Sequence, residues 1–188
     1  MRHRRESVMK RWIVIAAVAL LTGAAAIFLV ADRPDVLGAF GITDTDVTDI
    51  VAALEAGTED RTRFNASIDG DALHLTADGE TVNIDLPEGR FYLSVAPYLT
   101  STHECFTHNL VSCRGELVNA TFSITVRDAD GAVVLSGDFT SGANGFVGLW
   151  LPAGLDGTIT VGHEGHVATG AFQTQPASAT CMTTLVLS

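Results

Sequence analysis

The chain opens with a polar, basic stretch and then an unbroken apolar one. Arg2, Arg4, Arg5, Lys10 and Arg11 face a single Glu6, and residues 12–31, with Trp12 first and Ala31 last, carry no charge over 20 positions. A helix of that length, at about 1.5 Å per residue, matches a hydrocarbon core of about 30 Å. The basic flank predicts a cytoplasmic N-terminus, with everything after Asp32 exported. Residues 1–32 are therefore read as a signal or membrane anchor. An uncleaved anchor is preferred, because the apolar run exceeds the ~7–15 residues of a signal peptide and the would-be cleavage site Leu29-Val30-Ala31 has leucine where a small residue is wanted. Residues 33–41, with Pro34 and two glycines, read as a linker.

The pattern then changes period. Val47, Ile50, Val51 and Leu54 fall on one helical face, with Thr43, Asp44 and Thr45 as capping oxygens and Gly57 as a stop. Strands follow at 64–68, 72–77 and 81–86, parted by Asp69-Gly70 and Asp78-Gly79, dipeptides that favour tight hairpins. Further strands are predicted at 91–96, 120–127, 132–139, 146–151, 158–161, 167–172 and 181–187, with glycine turns between several of them. Phe122, Ile124 and Val126 alternate with polar neighbours as a half-buried strand requires. The fold class expected is mostly β: a C-terminal antiparallel β-sandwich over residues 90–188, preceded by a small α+β domain over 42–89. The smaller unit has too little apolar surface to stand alone and needs a partner.

Charge removes some functions. Five of the 11 basic residues but only one of the 22 acidic ones precede Asp32, so the exported part is strongly acidic. That argues against nucleic acid and against anionic lipid surfaces as partners. No phosphate-binding glycine loop or Ser-His-Asp signature is present, and Asp128-Ala129-Asp130-Gly131 reads as a hairpin turn, lacking the distal glutamate of a calcium loop.

The chemistry lies in three cysteines. Cys105 and Cys113 stand eight apart, with His103 and His108 beside and between them, and Cys181 lies far downstream at the start of the last strand. An exported protein normally pairs its cysteines, so an odd number requires a reason. The residues alone leave three readings open. One is a structural Cys105–Cys113 disulfide with Cys181 as a small buried apolar residue. Another is a three-thiolate metal site with His103 and His108 as supporting ligands, a donor set suited to Cu(I) or Zn. The last is an exchanging disulfide with a resolving thiol, the chemistry of a thiol–disulfide oxidoreductase; no Cys-x-x-Cys supports it. Met182 should point away from Cys181 on a strand, His163 and His166 read as solvent-facing residues of a glycine turn, and His74 as the polar face of its strand.

Three segments carry a resemblance: Thr102-His103-Glu104-Cys105 with His108-Asn109-Leu110 and Cys113-Arg114-Gly115-Glu116-Leu117; Asn144-Gly145-Phe146-Val147-Gly148-Leu149-Trp150-Leu151-Pro152; and Thr180-Cys181-Met182-Thr183-Thr184-Leu185. Together they resemble the CueP family of exported bacterial copper-binding proteins, from about residue 90 to the C-terminus. The resemblance implies a copper-binding, non-enzymatic protein of the cell envelope that contributes to copper tolerance and hands copper to an acceptor protein. It implies Cys105, Cys113 and Cys181 as ligands, with His103 and His108 as secondary candidates, and a homodimer formed through the smaller domain. Cu(I) is the preferred ion, with Zn as competitor. A redox disulfide, Cys105–Cys113 in the first instance, would alternate with the three-thiol state, and two thiolates could reduce Cu(II) stoichiometrically while forming it.

Overall fold

Each half-buried strand of the sequence has to cover its apolar face, and the chain does so in three sheets. The structure, a computed structural model, describes residues 36–43, 46–57 and 63–188; the anchor reading of residues 12–31 lies outside them. Among the described residues no helix is long and apolar enough to cross a membrane.

Among the described residues two helices come first. Helix α1, Val36–Ala39, is a single turn inside the stretch read as linker, and it buries Val36. Helix α2, Val47–Ala56, buries Val47, Ile50, Val51 and Leu54, the face its spacing predicts. Its cap is Asp46 rather than Thr43, Asp44 or Thr45: the Asp46 carboxylate accepts from Thr48 N–H at 2.8 Å, satisfying a donor the first turn leaves unpaired. Gly57 ends the helix as expected.

The first sheet has the order β3-β2-β1-β5, from Phe64–Ile68 (β1), Ala72–Ala77 (β2), Glu80–Asp85 (β3) and His108–Asn109 (β5). The β2–β3 turn places Asp78 at φ 50° and Gly79 at φ 89°, the left-handed pair that a two-residue hairpin demands. Strand β5 joins through Ile68 opposite His108, so a short piece of the cysteine loop is stitched onto the N-terminal sheet.

The sandwich has two layers. One is the antiparallel sheet β10-β9-β6-β7, from Thr121–Asp128 (β6), Val133–Thr140 (β7), Asp156–His163 (β9) and His166–Gln173 (β10). The other is β11-β4-β8, from Arg90–Val95 (β4), Val147–Pro152 (β8) and Cys181–Met182 (β11). Between them lie Phe122, Ile124, Val126, Leu149 and Leu151, at 0–1% exposure. Burial of each such side chain contributes about 1.5–3 kcal/mol before entropy is charged against it.

Strand β4 is the wall between two cores. Phe91, Leu93 and Val95 face the sandwich, while Tyr92 packs with α2 and the first sheet, and Ala96 just beyond the strand packs beside Cys181. A strand alternates sides, so one strand buried on both faces serves both cores.

Two expectations need correction. The last strand, expected at 181–187, keeps ladder pairing only at Cys181 and Met182, and it runs parallel to β4 where antiparallel pairing was expected. Thr183 and Thr184 step out of the ladder; the Thr183 carbonyl accepts from the Thr102 hydroxyl at 2.8 Å, and pairing resumes at Tyr98 and Val186. His163, expected to face solvent, turns inward: its Nδ1 lies 2.9 Å from the Thr121 carbonyl and its ring 5.0 Å from that of Phe122. A tilted contact with an aromatic ring and a backbone acceptor hold the imidazole against the sheet.

Candidate metal centre

Local hydrogen bonds bend the loop after β4 into a cup. Asn109 is its pivot, its side-chain carbonyl accepting from Val111 and Ser112 N–H at 3.1 and 2.8 Å. Its backbone carbonyl accepts from Cys113 N–H at 3.0 Å, and its own N–H points at Cys113 Sγ at 3.4 Å. Cys113 is thereby swung back under His108. The Phe106 carbonyl accepts from Thr180 and Cys181 N–H at 2.9 and 3.1 Å, which brings in the start of β11. Thr180 completes the tie, accepting from His108 N–H at 3.0 Å and donating to the Ile68 carbonyl at 2.6 Å.

Cys105, His108, Cys113 and Cys181 consequently present one donor atom each within 4.8 Å of one another. Cys181 and His108 are buried, and Cys105 and Cys113 half-buried. The disulfide present joins Cys105 to Cys181, with Cα atoms 5.6 Å apart, and Cys113 is the free thiol. The pairing foreseen from the sequence was Cys105–Cys113; those sulfurs lie 3.6 Å apart, in contact without a bond. Sequence proximity favoured the eight-residue loop, but the hydrogen bonds at Phe106 bring a cysteine 76 residues away closer still.

The histidines divide. His108 Nδ1 is 3.7 Å from Cys181 Sγ, and its ring packs tilted against that of Phe146 with centroids 4.6 Å apart. His103 is outside the four-donor cluster; it hydrogen-bonds the Cys113 sulfur and meets Phe146 edge-on at 6.2 Å. Met182, as alternation requires, lies in the sandwich core.

Behind His108 stands a residue that the sequence reading did not single out. Glu55 Oε1, at the end of α2, accepts from His108 Nε2 at 2.9 Å and from the Tyr92 hydroxyl at 2.8 Å, and Asn144 Nδ2 donates to its other oxygen. The available signal was its position: Glu55 follows Leu54 and lies four residues after Val51, so it borders the apolar face of α2. Asn144 and Phe146 are delivered by the turn before β8, which is pinned where Gly115 N–H donates to the Asn144 carbonyl at 2.7 Å. A Cβ on Gly115 or Gly145 would strike the other's backbone, so two glycines are required at this approach.

The electrostatics follow from these contacts. Burial opposes charge on His108, but the hydrogen bonds to Cys113 and Glu55 and their negative charges outweigh it, raising its pKa to about 9. Burial likewise opposes the Cys113 thiolate; bonds from His108, the Asn109 N–H and His103, together with the imidazolium charge, bring it down to about 7. For Glu55 burial again works against charge, and His108, Tyr92 and Asn144 together hold the carboxyl below its ordinary range. Cys181 Sγ, spent in the disulfide, carries no charge, so the sulfur whose charge raises the His108 pKa is that of Cys113.

Three sulfurs and one imidazole gathered beneath a β-sandwich form a donor set that could hold a soft metal ion. The chain belongs to the CueP family: the model for "Periplasmic copper-binding protein CueP" matches residues 49–186. It is similar in structure to the crystal structure of S.CueP, at 38% identity and a TM-score of 0.76, over 81% of this chain and 94% of that one. No curated protein matches it. Copper is therefore the family's ligand and the extracytoplasmic space its compartment.

Proposed function

We propose that the protein holds Cu(I) with the thiolates of Cys105, Cys113 and Cys181, supported by His108, and that it contributes to envelope copper tolerance by sequestering copper and passing it to an acceptor protein. The observation that carries this reading is the convergence of four soft or borderline donors within 4.8 Å. Carboxylates stand behind them rather than among them, which disfavours hard ions. His103 acts through its hydrogen bond to Cys113 rather than as a ligand. Zn competes for the same thiolates.

The disulfide form is the resting half of a redox cycle. A dithiol reductant that gives up two electrons and two protons, becoming a disulfide itself, opens Cys105–Cys181 and restores three thiols. In reverse, two thiolates give one electron each to two Cu(II) ions, leaving two Cu(I) and the disulfide. This is stoichiometric chemistry, not turnover, and the protein acts as a binding protein rather than an enzyme. Cys113, half thiolate near neutrality and 3.6 Å from Cys105, also supports a second reading, thiol–disulfide exchange with other proteins.

Titration of the reduced protein with Cu(I) against a competing chelator separates them. Cys181→Ser should lower Cu(I) affinity at least tenfold, about 1.4 kcal/mol. A Cys181→Ser protein that binds Cu(I) as tightly as the parent would sink the three-thiolate site and leave the exchange reading.

A further inference from the structure

We propose that Glu55 is a positioning residue for the metal centre: it fixes the ring of His108 so that Nε2 keeps its proton and Nδ1 turns its lone pair toward the sulfurs. This deepens the copper-binding reading and rests on it.

A neutral imidazole has one nitrogen that donates and one that accepts. His108 Nε2 lies 2.9 Å from Glu55 Oε1, and an ionised carboxylate can only accept, so the proton belongs on Nε2. Once the second ring proton is lost, Nδ1 is the bare nitrogen, and it is the one that lies 3.7 Å from Cys181 Sγ. The ring has no solvent exposure, so water cannot supply an alternative partner for either nitrogen.

Glu55 is itself immobile. The Tyr92 hydroxyl and the Asn144 amide hold its two oxygens, and Ile50, Val51 and Leu54, each 1% exposed, lock its helix against the first sheet. A carboxylate on the far nitrogen of a ligating histidine both orients the ring and makes the near nitrogen a better donor. The arrangement assigns α2 a task in the metal centre, although none of the three cysteines lies on it or near it in sequence.

The test uses the full-length protein with nitrogen-15 histidine, reduced and metal-free, at a pH above the imidazole's titration, with His108 assigned by loss of its signals in His108→Gln. The parent and Glu55→Gln, which keeps an acceptor oxygen for Nε2–H, should show the Nε2-protonated tautomer. Glu55→Ala should show the other tautomer or a mixture. Cu(I) competition should find Glu55→Ala weaker by ~10- to 100-fold, with Glu55→Gln recovering most of the loss. A carboxylate that only balances charge would leave Gln as weak as Ala, and that result overturns the proposal. So does an Nδ1-protonated parent ring, or a Glu55→Ala ring signal identical to the parent's. A parent that takes up no Cu(I) overturns the copper reading instead, and the tautomer measurement still decides the role of Glu55.

Discussion

Phe146 offers the sharpest test of how the metal centre is held. Phe146 is 3% exposed, and its ring packs with Ala96 and Cys181, lies tilted against His108 at 4.6 Å and meets His103 at 6.2 Å. Phe146→Ala removes the six ring carbons' contacts from both histidines and leaves a cavity beside the disulfide. Fully buried Phe→Ala changes cost about 3–5 kcal/mol, of which aromatic contact geometry supplies about 0.5–1.5. Cys105 and Cys113 are half-buried and the loop between them can relax into part of the space, so the lower end, about 3 kcal/mol, is expected. For a folded part of this size that corresponds to a fall in Tm of roughly 6–12 °C. Urea unfolding of the oxidised protein, with the slope unchanged and the midpoint shifted, gives the direct measurement. Cu(I) affinity of the reduced variant should fall as well, because His108 loses the surface it lies on. Phe146→Leu keeps most of the volume and should cost less than about 1.5 kcal/mol. A loss below about 1 kcal/mol in Phe146→Ala would refute the claim that this ring is the floor of the site.

In the oxidised protein only Cys113 is free, so its alkylation rate reports its own ionisation; half-maximal rate is expected near pH 7, and a midpoint near 9 would remove the influence of His108. The linked stability has opposite signs for the two partners. Cys113, lowered on folding, stabilises above its ordinary value and loses that contribution as pH falls through about 7, whereas His108, raised on folding, stabilises below its ordinary value and loses it as pH rises through about 9. Protease added to intact cells should remove the domain after Asp32 and leave an N-terminal membrane fragment; recovery of a soluble protein beginning near Asp32 would show that residues 12–31 are cleaved. The soluble part should sediment as a dimer through its N-terminal unit, and a monomer at high micromolar concentration would refute that assembly.

Much of the architecture was legible in one dimension because its causes are local. Period-two alternation marked β6, and the Asp78-Gly79 pair marked the β2–β3 hairpin, since φ above zero is inexpensive for those residues. The spacing of Val47, Ile50, Val51 and Leu54 marked α2 and the face it buries. The three cysteines and His108 were legible as candidates by residue type, because few side chains bind soft metal ions. Their arrangement was not. That Cys105 bonds to Cys181 depends on Phe106 accepting from two N–H groups 74 and 75 residues downstream, and that β11 runs parallel to β4 depends on where the chain re-enters after β10. Glu55 drew no reading from the sequence; its role comes from Tyr92, His108 and Asn144, three separate parts of the chain that the fold brings around it. A pattern of apolar positions encodes which face of an element is buried, but not what lies opposite. Partners that meet across 53 or 89 residues of sequence are chosen by packing of the whole fold, and only the tertiary structure holds that information.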